Sequence, residues 1–493
     1  MVKMKTLKEL FSAVPCEIRG DENTAVTSIE YDSRRAGEGS LLFCLRGAKT
    51  DGHVFAPRAY EKGCRAFAVE YPLDLPSDAV QVTVDNTRRR LAEVSAEFYG
   101  RPADKLTVIG ITGTKGKTTT AVLIEEILSK CGVKCAYIGT NGVVIGENRY
   151  ETINSTPESR ELHRYFSMML DEGFSHVVME VSSQALDNYR VHGIKFDTVI
   201  FTNLSPDHIG VGEHASFEEY RDAKRKLFTD YGADCVITNA DDEYSGYMTA
   251  GVRAKTVSYG IRNDADLRAT GISPYRDRTS LGVEFDLRTN GKAIPVRLRT
   301  PGEFSVYNGL AAIAAVAQCG ISPADAADAL RTISVRGRFE IVDAVDGVTF
   351  IIDYAHNGLS LTRALTVLRE YSPSRLICVF GCIGGRTFGR RRELAEAAAS
   401  LADFTVITSD NPDNERPEDI IDDVLNYFDR HKPYTTIADR EEAVRFAVRI
   451  AKKGDIVLFA GKGHENFQLI DGERVPLCER EIILDEAAKV AII

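Results

Sequence analysis

Apolar residues in this chain come in short solid runs, and each run ends in a polar or glycine-rich segment. Residues 106–111, 135–138, 176–181, 198–203 and 235–239 read as strands buried on both faces. Between them, residues 121–128, 161–172 and 216–228 carry apolar positions at helical spacing. Strand and helix in alternation predict a mostly parallel sheet wrapped by helices. The pattern returns near the C-terminus, where the runs 350–353, 376–380, 404–408 and 455–459 each finish in a polar or glycine-rich loop. That predicts a second open α/β sheet with its ligand edge at the strand ends. The first hundred residues read as a smaller α/β unit: helix 7–14, strand 25–31, helix 56–63, strand 64–69 and helix 86–99, which Gly100, Arg101 and Pro102 break. A chain of 493 residues fits three domains, expected at 1–103, 104–335 and 336–493.

One junction organises the rest. The strand at 106–111 runs into Gly113, Thr114, Lys115, Gly116, Lys117, Thr118 and Thr119, and a helix follows at once. Loop amides and a helix N-terminus aim positive partial charge at a triphosphate. Lys117 can reach the β- and γ-phosphates, and the Thr118 hydroxyl can ligate Mg²⁺. Ile111 stands where the longer form of this motif has its first glycine, so the spacing is the shorter G-x-x-G-K-T. The plain alternative is a glycine turn between strand and helix.

Two further strands of the middle region end in candidate groups. Glu180 emerges at the end of 176–181, where a carboxylate can hold Mg²⁺ or orient a nucleophile. Residues 201–208 end in Asp207 and His208, and His208 can serve the same metal site. Residues 219–228 form a basic amphipathic helix, which composition alone leaves as a solvated face. Asn308 lies close to the start of an alanine-rich helix at 310–318, where hydrogen bonding to a purine and simple helix capping are equal readings. Ser33, Arg34 and the turn at 47–53 could hold an anionic ligand, though a solvated loop is the default there.

Charge narrows the function classes. The net charge is −11, which argues against nonspecific nucleic-acid binding as the main task. No apolar run approaches 18 residues, and the N-terminus lacks an apolar signal core, so neither a membrane span nor a secretory signal is expected. Ten scattered cysteines without C-x-x-C read as free thiols in a reducing cytoplasm. The most basic short run is 384–392, where glycines flank Arg386 and Arg390 to Arg392.

Taken together, the motifs resemble the Mur ligase family of peptidoglycan precursor synthesis, across all three domains. The resemblance rests on residues 113–119, on Met179 to Ser183, on Thr202 to His208, on Tyr354, Ala355 and His356, and on Gly461, Lys462, Gly463, His464 and Glu465. Asp32 to Arg34 and Lys49 to His53 resemble the UDP-binding domain of the member that adds a diamino acid to UDP-N-acetylmuramoyl-L-alanyl-D-glutamate. It implies a cytoplasmic, ATP-dependent ligase of cell-wall synthesis that works through an acyl phosphate; a monomer is expected. It implies Thr118, Glu180 and His208 at the metal sites, Lys117 as a catalytic cation, and Lys224 carbamylated by CO₂. It implies ATP contacts from residues 113–119, Asn308, Arg338 and Asp353. Ser33, Asn154, Ser155, Thr156, Ser182 and Arg190 would hold the UDP substrate. Arg386, Asp410, Asn411, Asp413, Gly461 and Glu465 would hold the amino acid.

The chain departs from the family pattern in places. Gln184 stands where His is frequent, and the loop after Phe380 reads Gly381, Cys382, Ile383, Gly384, Gly385, Arg386. Asp413 replaces the arginine usual in enzymes that add meso-diaminopimelate. A distal carboxylate beside Asp413 would meet like charge, so L-lysine is the expected amino acid, with meso-diaminopimelate the alternative if Arg390 to Arg392 supply a cation. A folylpolyglutamate synthase shares the phosphate loop but should lack the N-terminal domain. A nucleotide-switched regulator would not need a second ligand edge.

Overall fold

The computed structural model describes residues 4–47, 50–207, 209–210, 213–277, 280–385 and 388–490, the last without its side chain. His208, Arg386 and Lys49 lie outside the described residues. The chain forms two compact units, 1–268 with 310–326 and 269–309 with 327–493.

The first unit holds two main sheets beside a short antiparallel pair, Lys5–Thr6 with Ala25–Val26. The N-terminal one runs Glu17–Arg19, Val80–Thr83, Ala66–Val69, Ser40–Phe43, Ser28–Glu30 and is parallel except at its first pair. Leu41, Phe43, Ala68 and Val82 pack there against Leu91, Val94 and Phe98 of helix Thr87–Tyr99. Asn86 caps that helix, and Gly100 ends it at φ 78°, the left-handed turn that favours glycine. Arg160 ties this sheet to the next, donating to the Ile29 carbonyl at 3.0 Å and to Glu30 at 3.1 Å.

The central sheet of this unit places Thr107–Thr112 between His176–Glu180 and Phe196–Phe201, all parallel. Cys135–Gly139 lies beyond His176–Glu180, and Ala233–Asn239 and Lys255–Gly260 beyond Phe196–Phe201. The chain leaves Thr107–Thr112 toward one side, returns, and continues on the other. Strand order therefore switches beside that strand, where α/β sheets open a crevice at their carboxyl ends.

His163 sits in this unit on helix Ser159–Asp171, fully buried beside Phe166. Neither ring nitrogen has a hydrogen-bond partner among the described residues. Burial, with the nearby Arg101 charge, pushes its pKa down to about 4. An unfolded histidine binds its proton near pH 6.5, so stability is lost as pH falls from there toward 4 and levels off below. At pH 5 this costs about 2 kcal/mol relative to pH 8. Denaturation of wild type and His163→Leu at both pH values should show the difference shrinking by that amount in the variant. An equal acid sensitivity in both proteins would contradict it.

The second unit is built on the order Glu340–Val342, Thr349–Asp353, Ile456–Ala460, Leu376–Cys382, Phe404–Ser409, Tyr434–Thr436. Only the first pair is antiparallel. Apolar clusters cover both faces, which explains the unbroken apolar runs in these strands. An antiparallel hairpin, Leu281–Thr289 with Lys292–Leu298, belongs to this unit and was not expected. Asn290 and Gly291, both at positive φ, make its two-residue turn. Helix Glu303–Gln318 begins seven residues before the expected 310, just after Gly302, which sits at φ 82°. Asn308 therefore lies buried inside the helix, and the capping reading falls away. All ten cysteines are unpaired. Among the described residues no helix is long and apolar enough to cross a membrane.

Candidate functional site

The phosphate loop leaves the carboxyl end of Thr107–Thr112 as expected. Gly113 sits at φ 147°, and a Cβ there would fall 2.0 Å from Thr202 Oγ1, so only glycine fits. Gly116, at φ 88°, precedes helix Lys117–Lys130, and no side chain caps that helix. Its first-turn amides thus keep their anion-binding character.

The Thr202 to Ser205 segment clamps this loop. Asn203 takes the Thr114 amide on its carbonyl at 2.8 Å and the Lys115 amide on Oδ1 at 2.9 Å. Thr202 Oγ1 and Asn203 Nδ2 both donate to the Lys115 carbonyl, at 2.8 and 2.9 Å. From sequence this motif offered His208 as its chemical group; its polar residues before Asp207 shape the loop itself. Asp207 pairs with Lys115 at 3.2 Å.

Two lysines converge on the same turn. Lys117 donates to the carbonyls of Gly113 and Thr114, at 2.8 and 3.1 Å. Lys224 donates to the Gly113 carbonyl at 3.0 Å and lies over the Tyr220 ring. Lys224 is 2% exposed. Burial, and then the Lys117 charge, hold its amine well below the usual lysine range. The helix read as a solvated basic face, Phe217–Lys226, thus turns Lys224 inward.

Glu180 ends the strand next to the loop strand, in register with Ile111. Its carboxylate accepts from Tyr137 Oη at 2.7 Å, the Thr140 amide at 2.8 Å and Thr140 Oγ1 at 3.2 Å. Tyr137 and Thr140 were not singled out from sequence; Tyr137 lies in an apolar strand that reads as core. Three donors leave this carboxylate acceptor capacity for a cation. Hard oxygen donors at Glu180 and the buried Thr118 suit Mg²⁺, which commonly takes one or two carboxylates and fills its shell with phosphate and water.

The expected UDP-substrate residues gather only in part. Thr156 Oγ1 donates to the Glu180 carbonyl at 2.9 Å and accepts the Ser182 amide at 3.1 Å. Arg190 donates to the Thr156 carbonyl at 3.1 Å and pairs with Glu158 at 2.9 Å. Ser182 also caps helix Ser183–Asp187. Asn154 and Ser155 are half-buried in the turn before Thr156. Ser33 is half-buried in the turn after Glu30, while Arg34 folds back onto Asp32 at 2.7 Å.

In the second unit, Asp353 ends its strand and accepts the Phe339 amide at 2.9 Å; burial pushes its carboxyl up, against the pull of Arg338. The Arg338 guanidinium lies 4.8 Å from the Tyr354 ring centre. A second cluster joins the ends of Phe404–Ser409 and Ile456–Ala460. A Cβ on Gly461 would stand 2.8 Å from Asp410 Oδ2. Asn411 Nδ2 donates to Glu465 at 3.2 Å. The buried Lys462 donates to Asn411 Oδ1 at 2.8 Å and to Glu465 at 2.6 Å. Arg440, buried against Glu479, braces both strand ends by donating to the carbonyls of Ser409 and Ala460, at 3.0 and 2.9 Å.

Asp413 has another occupation. It sits at φ 51°, exchanges backbone bonds with Leu469 and Asp471, and takes the Gly472 amide on its carboxylate at 3.0 Å. It fastens the hairpin Phe467–Ile470 with Glu473–Pro476. The three arginines Arg390 to Arg392 also separate. Arg391 is buried between Glu415 and Asp423, and Arg392 pairs with Glu396. Arg390 lines a small pocket with His356, Cys382 and Asp410.

Comparison with known proteins agrees along the whole chain. Three family profiles match: the Mur ligase family catalytic domain at 25–99, the Mur ligase middle domain at 111–316 and the Mur ligase glutamate ligase domain at 337–463. A UDP-N-acetylmuramoyl-L-alanyl-D-glutamate–2,6-diaminopimelate ligase of Geobacillus thermodenitrificans is 41% identical over 469 residues, 93% of this chain and 94% of its own. One of the same name from Caldanaerobacter subterraneus is 38% identical, over 98% and 99%. A solved structure of such a ligase superposes with a TM-score of 0.73 at 29% identity, covering 99% of both chains. A folylpolyglutamate synthase of Mycobacterium tuberculosis, at 14% identity and a TM-score of 0.59, covers 82% of this chain and shares the fold alone. The relatives' names favour diaminopimelate over the lysine expected from Asp413.

Proposed function

The chain belongs to the Mur ligase family, and from that premise we propose that it joins 2,6-diaminopimelate to UDP-N-acetylmuramoyl-L-alanyl-D-glutamate at the expense of ATP. The observation that carries this reading is the nearly full-length likeness to ligases of that name. It includes the N-terminal sheet, which a nucleotide switch would not need.

The chemistry follows from the electrophile. A carboxylate resists amine attack, so ATP first phosphorylates the D-glutamate γ-carboxylate. The amine then attacks the acyl phosphate, a tetrahedral intermediate forms, and phosphate leaves. The protein's task is positioning and charge neutralisation. The loop amides and Lys117 would hold the phosphates. Glu180 and Thr118 would hold Mg²⁺, which neutralises charge on the transferring phosphoryl group when bound. The division at 1–103, 104–335 and 336–493 corresponds to UDP substrate, nucleotide and amino acid.

Lys224 is assigned as a carbamate. A lysine kept as free amine by burial can attack CO₂, forming an N–C bond and releasing one proton. The product replaces a neutral amine by an anion that attracts Mg²⁺. The occupation of Asp413 in its hairpin weakens the case for lysine as substrate. Arg390, beside Asp410, is the cation assigned to the second carboxylate of diaminopimelate. The reading is tested by incubating the protein with ATP, the UDP-muramoyl dipeptide and single amino acids, and following ADP release and product mass.

A further inference from the structure

Lys462 has no exposed surface, yet lysine is among the residues least often buried. Its ammonium is held at 2.6 Å from Glu465 Oε2, 2.8 Å from Asn411 Oδ1 and 3.5 Å from Asp410 Oδ1. Those three side chains are among those assigned above to the incoming amino acid, and Lys462 itself has no role in that assignment. Its bonds go to specific atoms. Glu465 Oε2 is taken by Lys462 and Asn411, whereas among the described residues Oε1 meets only the Tyr354 hydroxyl, at the long distance of 3.5 Å. Asn411 Oδ1 is shared between Lys462 and the Leu469 amide.

We propose that Lys462 is a positioning residue for the amino-acid substrate: it fixes Glu465 with Oε1 presented to the substrate ammonium, and it balances one of the two carboxylates at the strand ends. The inference rests on the ligase reading and deepens it. With Lys462 counted, Asp410 and Glu465 leave one net negative charge, which a single substrate ammonium can match while its carboxylates are bound elsewhere. Without Lys462, the buried Asp410 and the half-buried Glu465 lose the cation they share. The other ionisable groups around Glu465 are His464 beside it in sequence, Tyr354 and Asp410. Burial pushes Glu465 up; the Lys462 charge and hydrogen bond, with the Asn411 amide and His464, outweigh it and leave the carboxyl below its usual range. Loss of Lys462 removes the largest of these opposing effects and leaves the burial, so Glu465 should then take up a proton nearer neutral pH.

The test is steady-state kinetics of wild type and Lys462→Met at pH 8 and pH 6. The expected result is an amino-acid KM raised about tenfold at pH 8 and further at pH 6, with KM for ATP and for the UDP substrate within twofold of wild type. Wild type should show no comparable rise toward pH 6. Should Lys462→Met fold poorly, Lys462→Met with Glu465→Gln relieves the unbalanced charge; it should fold, keep the raised KM and lose the pH dependence. An amino-acid KM within twofold of wild type at both pH values would overturn the proposal. A titration of the Glu465 carboxyl carbon by ¹³C NMR needs no turnover and separates the two readings. If wild type shows no amino-acid-dependent ADP release, the ligase assignment fails, and an unshifted Glu465 titration in Lys462→Met then refutes the Lys462 role independently.

Discussion

Lys117→Ala should lower ADP formation about a thousandfold, roughly 4 kcal/mol of transition-state stabilisation. The lysine follows Gly116 at the first turn of an uncapped helix, and its ammonium already rests against the carbonyls of Gly113 and Thr114. Those two bonds leave it within reach of any phosphate held by the loop. The charge it neutralises grows as the phosphoryl group transfers, so the loss should fall on kcat more than on KM for ATP. The fold should be little affected, because two hydrogen bonds at a half-buried site contribute about 1–3 kcal/mol together. Single-turnover ADP formation and a melting curve check both halves. Near-wild-type turnover would remove the phosphate loop from the reaction.

Lys224→Ala should lower turnover about a hundredfold or more, and short carboxylates such as acetate should restore part of it. A structural lysine makes a different prediction. If Lys224 only braced the Gly113 carbonyl, a carboxylate would not replace it, since an acetate ion cannot donate that hydrogen bond. The same proposal makes wild-type activity depend on dissolved CO₂, and ¹³C-bicarbonate should label one lysine. Full activity in the variant, or loss without any rescue by acetate or formate, would count against the carbamate.

The strand ends that carry both sites were legible because strands buried on both faces leave solid apolar runs that stop abruptly. Gly113 and Gly461 were legible as loop glycines, but not their reasons, which are the Thr202 hydroxyl and the Asp410 carboxylate in the space a side chain would need. Asp413 was misjudged because sequence shows its charge and not its hairpin. Lys462 was read past because a lysine between two glycines looks exposed, and only the fold shows its three acceptors. Tyr137 hides as a core residue in an apolar strand, although its hydroxyl orients Glu180. The Leu281–Thr289 hairpin carried its signal in Asn290 and Gly291, which the helix–strand alternation of the surrounding region obscured.

The central claim is the identity of the reaction, and one competition assay tests it most directly. The protein is given ATP, UDP-N-acetylmuramoyl-L-alanyl-D-glutamate and equal concentrations of meso-diaminopimelate and L-lysine, and the products are separated by mass. The account predicts ADP release that requires the UDP substrate, with the diaminopimelate product in at least tenfold excess, about 1.4 kcal/mol in relative kcat/KM. A lysine product in comparable or greater amount, or ADP release indifferent to the UDP substrate, would contradict it.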